Sequence, residues 1–146
     1  MALITQKAQD AFLATIRDLA NKVADPEAEA DFSPARVVLL KNEVTSYDDI
    51  AAAELGTTTV SDITSPQGAG AGARRIRVST VQGDITISGG QETQASHYAL
   101  IVETANGARG GANEVLATNN LSTPATVADG NNFTLNEFDI TIAQPA

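Results

Sequence analysis

Residues 65–75, SPQGAGAGARR, are the part of the chain that is most similar to a phosphate-binding loop. A P-loop requires the run G-x-x-x-x-G-K-[ST] between a strand and a helix, but no lysine follows Gly68, Gly70 and Gly72. The dinucleotide pattern G-x-G-x-x-G also fails, because Ala73 occupies the last glycine position. The next residues alternate as in a strand, so no helix N-terminus follows to receive an anion. We therefore predict a flexible connection and no nucleotide site.

Other residue types that carry chemistry lack the necessary partners. His97 is the only histidine and cysteine is absent, so a zinc site built from these ligands is excluded. No serine lies in a G-x-S-x-G elbow, and residues 128–132, ADGNN, lack the spaced acids and closing glutamate of a calcium loop. We predict that the protein is not an enzyme, that it uses no cofactor or metal, and that His97 is a structural or surface residue.

Charge is unevenly distributed along the chain. The sequence has 18 acidic and 9 basic residues, and the net charge of -9 disfavours binding to nucleic acid because phosphates are repelled. Acidic residues alternate with small ones over 25–31, which is typical of a solvated linker. Arg74, Arg75 and Arg77 form the only basic cluster. This cluster either protects the edge of a sheet against pairing or contacts an acidic partner.

The length and the terminal residues bound the class of protein. The 146 residues suffice for one domain with a hydrophobic core. The first residues, MALITQKAQDAF, lack the basic start and apolar run of a secretory signal. No apolar stretch approaches the roughly 20 residues that span a bilayer. We expect no membrane partner and assembly in the cytoplasm, with which the absence of cysteine agrees.

The first 25 residues predict one amphipathic helix. Thr5 or a neighbour is available to cap its start, and Asp25-Pro26 ends it, because a residue before proline avoids helical geometry. Four bulky apolar residues fall on one stripe at spacings of 4, 3 and 4: Phe12, Ile16, Leu19 and Val23. Such a helix is marginal alone, so the stripe must pack. We predict an oligomer or assembly contact, with an internal cover of the core as the alternative.

Beyond residue 35 the hydrophobic period changes from 3.6 to 2, which indicates strands. Residues 35–41 and 96–104 are apolar on both faces, and 57–64 and 114–118 predict further strands. Residues 74–81 and 84–90 predict a hairpin. The last strand, 133–143, changes phase at Asn136-Glu137, which indicates a bulge or a bend between sheets. Residues 48–54 predict a short helical turn, and 119–132 predict mostly turn.

These elements predict a mainly β fold, an antiparallel β-sandwich of about seven or eight strands preceded by one N-terminal amphipathic α-helix. The expected organisation is a helix at 1–25, an acidic linker at 26–34 and the β-sandwich domain at 35–146. Strands that are apolar on both faces require a cover on the outer face of their sheet. Either the N-terminal helix or a neighbouring subunit supplies this cover.

Three segments carry a resemblance to a known class of proteins: QKAQDAFLATIRDLANKV, GDITISGGQETQASHYALIVET and DGNNFTLNEFDITIAQ. Together they resemble small virion structural proteins of tailed bacteriophages. The resemblance implies a non-enzymatic particle component located in the virion: a capsid decoration protein, a head or neck fibre, or a tail component. It further implies a homo-oligomer, such as a trimer or ring, that contacts capsid or tail proteins and is attached in many copies to the capsid or neck exterior.

A second class of function remains open at this point. A β-sandwich with many short turns is also typical of adhesin-like modules that bind carbohydrate or another ligand. Such modules usually present exposed aromatic platforms, and this sequence has no tryptophan and only Tyr47 and Tyr98 as tyrosines.

Overall fold

The computed structural model describes residues 5–21, 35–80, 85–88, 93–103 and 113–143. The predicted acidic linker at 26–34 lies outside these residues. The described elements are α1 (Gln6–Asn21), β1 (Arg36–Leu40), a 3-10 turn (Tyr47–Asp49), α2 (Ile50–Ala53), β2 (Glu54–Ile63), β3 (Gln67–Gly70), β4 (Ala73–Thr80), β5 (Ile85–Thr86), β6 (Thr93–Val102), β7 (Glu114–Val127), β8 (Asn132–Phe133) and β9 (Phe138–Ile142). The prediction of a mainly β chain with an N-terminal helix is confirmed. The described residues contain nine strands, more than the seven or eight expected.

All strand pairs in the described residues are antiparallel. A seven-stranded sheet follows the order β3-β4-β2-β1-β6-β7, with β9 also paired to β4, and β5 and β8 form a separate ribbon. Strands β2 and β3 pair with successive parts of β4, through Ile63↔Val78 and Gln67↔Arg75. Because β9 pairs with residues 74–78 of β4, it occupies the other edge of that strand. The sheet therefore ends in β9 on one side and β7 on the other.

The central pair of strands, β1 and β6, is buried on both faces, as its continuous apolar runs predict. On the first face, Val37 and Leu100 belong to a core cluster that includes Leu13 and Ile16 of α1. The N-terminal helix therefore covers this face, which was one of the two alternatives for the cover.

The second face of the same strands has a different cover. Val38, Leu40 and Ile101 pack there against Val44 and Ile50, which belong to the segment that contains the 3-10 turn and α2. The predicted helical turn at 48–54 is thus present, although the chain becomes extended at Glu54. On this face the cover is the segment around α2, and not the N-terminal helix.

The hairpin predicted from residues 74–81 and 84–90 is wrong. Strand β4 pairs with β2, β3 and β9, whereas Ile85 and Thr86 pair with Phe133 and Asn132. The physical reason is burial: Ile85 and Ile87 fill a third core cluster beside Leu39, Leu55 and Val127. Contacts between residues distant in sequence therefore override the local turn signal.

The segment 119–132, predicted as mostly turn, is also strand for most of its length, because β7 continues to Val127. The register with β6 shifts between Ala95↔Ala125 and His97↔Asn120, so the intervening residues bulge away from β6. Pro124 lies in this bulge, and an edge strand tolerates proline because its missing N–H breaks no central ladder.

The phase change at Asn136-Glu137 is confirmed as a bend between sheets. Phe133 on one side belongs to β8 and the two-stranded ribbon, whereas Phe138 on the other side belongs to β9 and the large sheet.

The glycine-rich loop is a hairpin, not the flexible connection predicted from its composition. Gln67–Gly70 forms β3 and pairs with the start of β4. The turn takes positive φ at Gly70 (90°), Ala71 (51°) and Gly72 (78°). Glycine adopts this conformation without the steric penalty that other residues pay, so the alternating glycines serve a tight turn.

A glycine in β2 provides a test of the packing between the large sheet and the β5–β8 ribbon. A Cβ atom on Gly56 would overlap Ile85 Cγ2 and lie 2.7 Å from the Thr86 carbonyl oxygen. We expect Gly56→Ala to lower the free energy of unfolding by about 1–3 kcal/mol, because a packed core resists added atoms. Chemical denaturation measures this change. Gly68→Ala is the matched control, since its Cβ meets nothing closer than 3.7 Å, and an equal loss in both variants would contradict the packing.

Candidate functional site

The start of α1 is fixed to the β domain by hydrogen bonds. Thr5 caps the helix, since its Oγ1 accepts from the Ala8 N–H at 3.2 Å. One turn later, Gln9 is 1% exposed, and its Nε2 donates to the carbonyl oxygens of Gly72 and Ile142, both at 3.2 Å. The helix is thereby tied to the β3–β4 turn and to the end of β9.

Two charged groups extend this attachment along the helix. Arg74 Nε and Nη2 donate to the two carboxylate oxygens of Asp10, at 2.6 and 3.1 Å. Arg17 Nε donates to the Ile63 carbonyl at 2.8 Å. The bidentate bond from Arg74 holds the pKa of Asp10 below its ordinary value of 3.8. Together with the Gln9 bonds, these contacts hold α1 in one orientation on the sheet.

The structure divides the four residues predicted as an assembly contact. Ile16 is 8% exposed and packs inside the core, whereas Phe12 is 59% exposed. Leu19 lies in α1, and Val23 lies outside the described residues. Sequence reasoning missed Leu13, which is fully buried. Gln9, Leu13 and Ile16 are also spaced as residues on one face of a helix. The sequence does not identify this face as buried, because it would place a glutamine in the core.

Phe12 is the exposed large hydrophobic residue of the described chain. It lines a hollow of about 350 Å³ together with Ala8, Gln9 and Ile142. The Asp10 charge beside it is paired with Arg74. This Phe12 surface, defined by Ala8, Phe12 and Ile142, is therefore apolar and lies on a helix that is held in place.

A second concave feature lies between β7 and β9, the edge strands of the large sheet. Its first part is about 380 Å³ and is lined by Tyr98 and residues 117–119 and 138–141. An adjoining part of about 410 Å³ is lined by Tyr98 and residues 119–123 and 133–138. The ring of Tyr98 contacts that of Phe138 with 4.8 Å between centroids. We call this feature the edge cleft.

The basic cluster predicted to protect a strand edge or to contact an acidic partner is neutralised within the chain. Arg75 and Arg77 both bind Asp139, at 2.9 and 2.8 Å, and Arg77 also lies 3.5 Å from Glu137. Arg74 binds Asp10. Strand β4 has neighbours on both edges, so its arginines do not protect a sheet edge.

His97 is half-buried and engaged in a local hydrogen-bond chain. Its Nδ1 lies 2.7 Å from Ser96 Oγ, which in turn donates to the Lys41 carbonyl at 2.8 Å. The Ser96 hydroxyl has one hydrogen and two acceptors within reach, so Nδ1 donates to Ser96 when that hydrogen is directed to Lys41.

The described residues and the comparisons with known proteins identify no further site. Over the residues that the structure describes, no group of three or more histidine and acidic side chains is arranged to hold a metal ion. No described helix is both long enough and apolar enough to cross a membrane. No family model matches the chain, and no curated protein or solved structure is significantly similar to it.

The ion pairs predict how stability depends on pH. Hydrogen bonds from Arg77, reinforced by the charge of Arg75, hold the pKa of Asp139 below 3.8, as Arg74 does for Asp10. A carboxyl with a depressed pKa in the folded state stabilises the protein above its unfolded pKa, and this contribution disappears as pH falls through the folded pKa. We expect urea denaturation to show stability falling below about pH 4.

Asp139→Asn should be less stable than the wild type at neutral pH, and this difference should shrink as the pH falls below about 4. Asp62→Asn is the control, since Asp62 is exposed and makes no ion pair with the described residues. A difference between Asp139→Asn and wild type that does not change with pH would contradict this prediction.

Proposed function

We propose that the protein is a non-enzymatic structural component of a bacteriophage particle, attached in many copies to the capsid or neck exterior. In this proposal residues 35–146 form a β-sandwich domain, and the chain is a homo-oligomer that also contacts other virion proteins. The resemblance of its segments to small virion proteins supports the assignment to a phage particle. The Phe12 surface is the observation that carries the assembly role.

The exposure of Phe12 favours association with a partner. Phe12 is 59% exposed. Burial of its side chain by a partner stabilises the complex, by about 1.5–3 kcal/mol if the transfer from water is complete. The surface is also preorganised, because Gln9 and Asp10, on the same turn of the helix, are bound to the β domain. Little conformational entropy is lost when a surface of this kind binds. Ion pairing of Asp10 removes the charge that would otherwise oppose association in an acidic chain.

The assembly role predicts that Phe12→Ser weakens self-association by about tenfold or more, which corresponds to the loss of about 1.4 kcal/mol. Folding should remain within about 0.5 kcal/mol of the wild type, because the residue is exposed. Sedimentation velocity measures association, and circular dichroism measures folding. Ala11→Ser, at the next exposed position of α1, is the control. A wild-type protein that stays monomeric at high concentration would contradict the homo-oligomer, and antibody labelling of intact phage particles tests the location separately.

The edge cleft favours a second candidate, a ligand- or carbohydrate-binding module. Tyr98 and Phe138 supply aromatic rings, and Asn119 and Thr118 lie at the same place. Asn119 Nδ2 donates to the Tyr98 hydroxyl and Thr118 Oγ1 donates to the Tyr98 carbonyl, each at 3.3 Å, so a sugar would bind the second N–H of Asn119. Sugars are recognised by such a combination of ring faces and hydrogen-bonding groups.

If this alternative holds, a glycan array should identify an oligosaccharide whose binding Asn119→Ala reduces by about tenfold, the effect of losing roughly 1.4 kcal/mol. Asn42→Ala is the control, since Asn42 is exposed and does not line the cleft. Binding that is equally strong in both variants would place the sugar elsewhere.

A further inference from the structure

We infer that the edge cleft holds an extended, uncharged peptide strand supplied by another protein chain. This inference does not depend on the phage assignment. In the large sheet, β3, β7 and β9 each have one strand partner among the described residues, and two of these edge strands, β7 and β9, form the walls of the same cleft.

Each wall is a strand with a partner on one side only. Among the described residues, β7 pairs with β6 and β9 pairs with β4, and neither has a second strand beside it. Among the described residues, the outward N–H and C=O groups of both strands therefore have no ladder partner, although the Asn120 N–H donates to Asn119 Oδ1 and the Ile142 carbonyl accepts from Gln9. A row of such groups is a template for another strand, which is how proteins that recognise peptides by strand addition obtain their affinity.

The cleft is long enough for a short strand. Its two parts share Tyr98, Asn119 and Phe138, so they adjoin. Together they follow β7 from residue 117 to residue 123. Seven residues of strand span about 23 Å at roughly 3.3 Å each. The peptide would have the same length in an extended conformation.

The direction of the walls sets the geometry of the added strand. Residues 117–119 lie opposite 138–141, and residues 119–123 lie opposite 133–138, so β7 and β9 run antiparallel across the cleft. A strand between them is antiparallel to one wall and parallel to the other. Mixed sheets of this kind are common.

The lining specifies a neutral occupant. Residues 115–127 of β7 include no charged side chain, and the Asp139 carboxylate on the opposite wall is bound by Arg75 and Arg77. Glu137, which lines the adjoining part, lies 3.5 Å from Arg77, so its charge is also paired.

Natural edge strands are usually protected by charged residues, proline or bulges. In β7 these are Glu114 at its start and the bulge that contains Pro124, whereas residues 117–119 have no such protection. The uncharged stretch that lines the cleft is therefore suited to pairing.

The floor and rim specify an alternating pattern in the peptide. The rings of Tyr98 and Phe138 form an apolar floor, and Thr118, Asn119 and Thr141 supply polar groups around it. Since successive side chains of a strand point to opposite faces, small apolar residues would face the rings and polar residues would face solvent. A glycan has no alternating N–H and C=O groups to match the two walls.

The test uses a blocked heptapeptide of alternating threonine and valine as the probe, with the full-length protein. We expect hydrogen exchange to show protection of those amides among residues 117–119 and 139–141 that point away from β6 and β4 when the peptide is added, because the remaining amides already belong to the sheet. The same peptide with a central proline, which removes a donor and resists the ladder, should not protect them. An oligosaccharide mixture serves as the competing ligand class.

Thr141→Trp should weaken peptide binding by roughly tenfold, because the exposed Thr141 lines the cleft and an indole would fill it. Thr126→Trp is the matched control: Thr126 is also an exposed threonine on an edge strand, but it does not line the cleft. Ser122→Trp blocks the adjoining part and gives a second variant in case Thr141→Trp unfolds, which thermal melting would reveal.

Three results would overturn the inference. The first is no amide protection at millimolar peptide. The second is protection that persists equally in the folded Thr141→Trp and Ser122→Trp variants. The third is protection of the same amides by the oligosaccharide mixture and not by the peptide, which would assign the cleft to sugars.

Discussion

The burial of β1 and β6 on both faces is the constraint on which the rest of the structure depends. Residues 37–40 are completely inaccessible to solvent, so each face of this pair must be covered by other parts of the chain. Helix α1 supplies one cover and the segment around α2 supplies the other. The β5–β8 ribbon packs on Leu39, which lies further along the first face. A single hydrophobic run in β1 therefore determines where three other elements must pack.

The polar contacts of α1 follow from its role as a cover. A helix of 16 residues is marginal in isolation, and only Leu13 and Ile16 among its described side chains are buried apolar groups. Gln9 and Asp10 complete the attachment through hydrogen bonds to the β domain. Burial of Gln9 leaves its Oε1 without a partner among the described residues, which opposes part of this gain. The same geometry directs Phe12 outward and creates the apolar surface on which the proposed assembly role rests.

The edges of the sheet determine the second functional feature. The strands on either side of the central pair continue to β9 and β7, and these two come to line one cleft without pairing with each other. The Tyr98–Phe138 contact bridges its floor. An apolar helix surface and a sheet edge are both means of association between chains, and the two proposals rest on these features.

The sequence by itself determined the class of each strongly periodic element. The helix at the N-terminus, its Thr5 cap, the two doubly buried strands and the bend at Asn136-Glu137 all follow from local spacing, because side-chain period depends only on the backbone conformation.

Only the tertiary structure decided which strands pair. The partner of Ile85 is Phe133, almost fifty residues away, and no local signal identifies it. The length of β7 was underestimated for the same reason. Its polar residues are typical of turns, but pairing with β6 keeps them extended. In the helix, the apolar stripe was visible in the sequence, but whether Phe12 or Leu13 faced the core depended on Gln9 finding carbonyl groups in the distant β3–β4 turn and at the end of β9.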